Sequence, residues 1–60
     1  MKPKEMVQIL KHNGFQVIRQ KGSHIIMYNE KTNLRTTVPM HKAELKKGTE
    51  IAILKQAGLK

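Results

Sequence analysis

The sequence predicts an α+β domain in the order helix, three strands, helix, with one antiparallel sheet and both helices on the same face. Three observations predict it. Apolar residues recur at three- and four-residue spacing near both ends of the chain. Between them, Phe15 to Val38 is rich in β-branched and long apolar residues and is broken at Gly22 and at the polar run Asn29-Glu30-Lys31-Thr32-Asn33. Links that short between neighbouring strands force antiparallel pairing.

The first helix opens at Pro3, where the missing N–H costs nothing, and Glu5 complements the positive end of the helix dipole. Met6, Val7 and Leu10 form its inner stripe, with Ile9 at the edge, and Gly14 stops it. His12, in the last turn, is a favourable cation against the dipole and reads as structural. The first strand runs from Phe15 to Lys21, the second through Ile25-Ile26-Met27-Tyr28, and the third from Leu34 to Val38, closed by Pro39. In the second strand His24, Ile26 and Tyr28 share one face, and Ile25 and Met27 share the other. Apolar residues on both faces imply that a partner covers the side away from the helices. Met40 to Lys47 is a basic loop. Gly48-Thr49-Glu50 opens the second helix with Thr49 as its cap. Ile51, Leu54 and Ala57 make its inner stripe with Ile53 beside it, and Gly58 ends it.

Sixty residues make a single domain, 1–60, and a hydrophobic fraction of 38% gives it a thin core. Domains of this size bury only about 60% of their unfolded surface. Cysteine is absent, which excludes disulfides and thiol chemistry and leaves a protein partner as the economical reinforcement. Twelve Lys and Arg against four Glu and no Asp give a net charge of +8. Such a field attracts nucleic acid, an anionic membrane or an acidic protein. Neither helix combines a dense basic face with large aromatics, which argues against a membrane surface. No apolar run approaches a membrane span and no signal-peptide core precedes the first helix, so a cytoplasmic protein is expected. Three histidines on separate elements do not make a zinc or magnesium ligand set, so neither metal nor cofactor is expected.

The chemistry concentrates at Gly22-Ser23-His24, directly after Arg19-Gln20-Lys21. Histidine can take and give a proton near neutrality, its ordinary pKa being about 6.5. A strand-entrance histidine beside cations, and beside a glycine that admits a backbone closely, suits work on a phosphodiester. The residues alone leave a second reading open, a strand histidine bonded to a neighbouring carbonyl. Gly22 supplies the positive φ of a turn or frees backbone N–H groups for phosphate. Ser23 donates to that phosphate or satisfies the turn. Arg19 and Lys21 form a cationic stripe towards His24, which Lys42, Lys46 and Lys47 extend unless they are merely a solvated loop. Contacts of this kind read no base sequence, and Tyr28 is the one aromatic available for stacking.

The order of elements is that of double-stranded-RNA-binding domains. Beyond order, the chain resembles the HicA toxins, the YcfA-like ribonucleases of HicA–HicB toxin–antitoxin pairs. The resemblance runs through Gly14-Phe15, Arg19-Gln20-Lys21-Gly22-Ser23-His24, Val38-Pro39-Met40-His41, Gly48-Thr49 and Ile53-Leu54-Lys55-Gln56-Ala57-Gly58, essentially the whole chain. It departs at Glu50-Ile51, where many members carry a leucine followed by a basic residue. The resemblance implies an mRNA interferase, with His24 at the family's catalytic histidine and a HicB-type antitoxin bound over the His24 face as a hetero-oligomer. The chemistry that suits it is general-base removal of a ribose 2′-OH proton by His24. His41, after Pro39 in the basic loop, is the second acid/base candidate, and Lys21 or Lys42 would stabilise phosphorane charge. Two alternatives remain: a non-catalytic RNA-binding module, and a structural subunit whose basic face docks an acidic partner.

Overall fold

The computed structural model describes every residue, Met1–Lys60. The elements follow the expected order: α1 (Pro3–His12), β1 (Gln16–Lys21), β2 (His24–Asn29), β3 (Leu34–Pro39) and α2 (Lys47–Gln56). Pro3 does occupy the first turn of α1, where the Glu5 carboxylate reaches back to accept the Lys2 N–H at 2.7 Å. Both helices end in the same way. Phe15 N–H bonds the Leu10 carbonyl at 3.0 Å, and Leu59 N–H bonds that of Leu54 at 2.9 Å. Each bond spans a glycine of positive φ, Gly14 or Gly58. These are Schellman closures, which need a residue free to enter the left-handed region.

The sheet is antiparallel in the order β1-β2-β3. Ile25, Met27 and Asn29 of β2, with Val38 and Thr36 of β3, form the inner face. His24, Ile26 and Tyr28 lie on the open face with Lys21, Arg19 and Gln16 on one side and Pro39, Thr37 and Arg35 on the other. A bulge between Val17 and Arg19 lets both Val17 and Gln20 share the inner face although they lie an odd three positions apart. Met6, Val7 and Leu10 of α1 meet Met27, Val38, Ile53 and Ala57 in one core. Both helices pack on β3, and every residue of β1 is exposed.

Four details differ from the sequence expectation. Phe15 is buried ahead of β1 instead of starting it. The helix α2 begins at Lys47 after Lys46, so Thr49 lies inside the first turn and no side chain caps it. Its inward residues are Ile53 and Ala57, while Ile51 is only half-buried. Residues 51 to 54 are apolar around much of the helix, so β3 decides the face, through the Thr36 hydroxyl with Gln56 Oε1 at 2.9 Å and the Ile53 carbonyl at 3.4 Å. Finally, the basic loop holds a core anchor, Leu45, whose N–H bonds the Met1 carbonyl at 2.7 Å.

Candidate active site at the β1–β2 turn

Gly22-Ser23 is the two-residue link of the β1–β2 hairpin, with Lys21 paired directly to His24. Gly22 has φ +59°, and a Cβ placed on it would meet nothing within 4 Å. The glycine is therefore required by backbone conformation, as at the first position of a type II′ turn, and not by crowding. Gln20 Nε2 donates to the Gly22 carbonyl at 3.2 Å and braces the turn from the strand.

The turn also captures the chain that leaves β3. Met40 N–H donates to the Ser23 carbonyl at 2.6 Å, which folds the following residue over the hairpin. His41 Nδ1 then lies 3.2 Å from Ser23 Oγ. The His41 and His24 rings stand 5.7 Å apart between centroids, tilted by 57°. Two histidines separated by seventeen positions in the chain thus become neighbours, with Ser23 bonded to His41 and Lys21 paired across the strands to His24. His24, Ser23, Lys21 and His41 are all exposed, so a substrate can reach each.

A groove leads from His24 over Thr37 and Pro39 to the start of α2, where Gly48, Thr49 and Ala52 form its far wall. Because α2 lacks a side-chain cap, its first-turn N–H groups carry the positive end of the helix dipole beside this groove. Thr37, Gly48 and Thr49 had no site role in the sequence reading. Strand parity puts Thr37 on the His24 face once the β2–β3 register is known, but that register is set by the hairpin and not by residue type. The remaining cations spread outwards. Arg19 faces Ile26 on the open face, Lys42 and Lys46 flank a second groove that shares Pro39 and Thr49, and Lys47 opens α2. No three side chains of metal-ligating type come together anywhere in the molecule.

Residues 3–59 match the family of the HicA toxin of bacterial toxin–antitoxin systems. The chain belongs to the HicA toxin family. No curated protein matches it. The family match spans every residue assembled around His24. Glu50, in the first turn of α2, has its Oε2 2.7 Å from the Met1 ammonium, which also meets Glu44 Oε2 at 3.0 Å. Those hydrogen bonds, to Glu50 first and Glu44 second, raise the pKa of the Met1 amine above 8.0. No helix of this HicA chain is long and apolar enough to cross a membrane.

Proposed function

We propose that this HicA-family chain is an mRNA interferase, an endoribonuclease that works without a metal and uses His24 as its general base. The observation that carries the reading is the pair of imidazoles, His24 and His41, with ring centroids 5.7 Å apart, His24 standing at the head of a groove and Lys21 paired to it. His24 takes the proton of a ribose 2′-OH while that oxygen attacks the adjacent phosphorus. The P–O5′ bond breaks, and His41 supplies the proton that the departing 5′-oxygen needs. Products are a 2′,3′-cyclic phosphate and a 5′-hydroxyl. Lys21 and the N–H groups at the start of α2 oppose the negative charge that builds on the non-bridging oxygens. Arg19, Gly22, Ser23, Lys42, Lys46 and Lys47 border the path of the RNA backbone.

The family implies a cognate antitoxin. In this reading a HicB-type antitoxin covers the open face, burying half-exposed Ile26 and Tyr28 and closing access to His24. A complex that left His24 reachable by RNA would contradict that placement.

The test is cleavage of a defined RNA in EDTA by the wild type and by His24→Ala. The wild type should cleave, and the variant should be slower by about 10²–10⁴-fold. Dependence on a divalent ion, or full activity in His24→Ala, would overturn the mechanism. Retardation of RNA without shortening would instead identify a binding module.

A further inference from the structure

We propose that Ser23 is a positioning residue for His41, holding that imidazole by Nδ1 so that Nε2 is the nitrogen that delivers a proton to the leaving oxygen. The inference rests on the ribonuclease reading above and adds a division of labour inside the Gly22-Ser23-His24 turn. His41 is exposed in the segment that joins β3 to α2, so nothing in a strand or helix fixes its ring. Ser23 fixes it twice. Its carbonyl accepts the Met40 N–H at 2.6 Å and sets the backbone just before His41, while its Oγ meets Nδ1 of the ring at 3.2 Å.

A hydroxyl can donate or accept, and this matters for the proton count. When His41 is protonated, Nδ1–H donates to Ser23 Oγ and the second proton sits on Nε2. Transfer of the Nε2 proton to O5′ leaves the neutral ring still donating from Nδ1 to Ser23, so the supporting bond survives the step. The 2′-OH proton ends on His24, and exchange with water restores both rings. A serine bound only to phosphate, or serving only the turn, would not act through the leaving group.

That distinction supplies the experiment. The cleavage site is mapped with the wild type, and an oligoribonucleotide is made with either oxygen or sulfur as the bridging 5′ atom at that phosphate. A thiolate leaves without protonation, since thiols ionise near pH 8.5. On the oxygen substrate, Ser23→Ala should be slower by about 10–10²-fold, the scale of a misplaced catalytic group. His41→Ala should be slower by about 10²-fold or more. In each variant the sulfur-to-oxygen rate ratio should rise above the wild type's by that same factor, whereas His24→Ala should be slow on both. Ser23→Thr, which keeps the hydroxyl, should restore the oxygen substrate. Each comparison uses one protein preparation on two substrates, so a variant that folds poorly lowers both rates alike and leaves their ratio intact. If Ser23→Ala slows both substrates equally, or neither, the positioning role is wrong while the ribonuclease reading stands. A wild type that cleaves neither substrate sinks both.

Discussion

Asn29 shows how much one polar side chain can hold in a domain this small. It is 6% exposed, with Nδ2 donating to the Asn13 carbonyl at 3.1 Å and Oδ1 accepting the Lys31 N–H at 2.9 Å. One amide therefore ties the end of α1 to the start of the β2–β3 turn. Asn29→Ala strips both partners and should destabilise the fold by about 1–3 kcal/mol. The check is the urea midpoint, which should fall at an unchanged denaturant slope. His24 lies at the opposite end of β2, so cleavage per folded molecule should not change. The sequence marks Asn29 only as turn chemistry, because a polar residue beside Glu30 and Lys31 carries no sign of burial. His41 was hidden differently. Its residue type was visible, but its closeness to His24 depends on a backbone bond from Met40 to Ser23 that no local pattern encodes.

At the scale of elements, the order of helices and strands was legible because Pro3, Gly14, Gly22, Pro39 and Gly58 punctuate it and the apolar period changes at Phe15. The inward face of α2 was not, since period fails when apolar residues surround a helix. The placement of its first turn depends on contacts across the whole chain: the Met1 ammonium reaches Glu50 inside α2 and Glu44 just before it. This clamp has a pH signature. The amine's folded pKa is raised above its ordinary 8.0, so folding favours the protonated form. Its stabilising contribution is complete below about pH 8 and is lost as pH climbs from there through the raised value. Thermal melts across that alkaline range should show the loss in this chain, and acetylation of the Met1 amine should abolish that part of the pH dependence. Identical alkaline profiles for the free and acetylated chains would show that the clamp adds nothing. The close of α2 is a second test. A Cβ on Gly58 would fall 2.7 Å from Leu34 Cδ1 at φ +73°. Gly58→Ala should therefore lower the melting temperature, unlike an alanine at exposed Gly48, which meets nothing within 4 Å.

The whole molecule carries +8, and the arrangement of that charge determines what the field can do. Lys21 and Arg19 stand on the open face of β1, one paired to His24 and the other to Ile26. Lys31 sits in the β2–β3 turn, at the other end of the sheet. If the RNA backbone runs along the open face into the groove, only the first two displace counterions on binding. Affinity measured in the His24→Ala background should fall linearly with salt on logarithmic axes, with a slope of roughly 0.7 per phosphate contact to a single strand. Changing Arg19 and Lys21 together to glutamine should shallow that slope by roughly 1.4, two such contacts. Lys31→Gln should leave it unchanged. Equal effects from both replacements would mean that RNA sees a diffuse cloud of charge and not a track. The open face of β1 would then have to be explained by the antitoxin alone, whose complementary acidic surface would meet the same arginine and lysine.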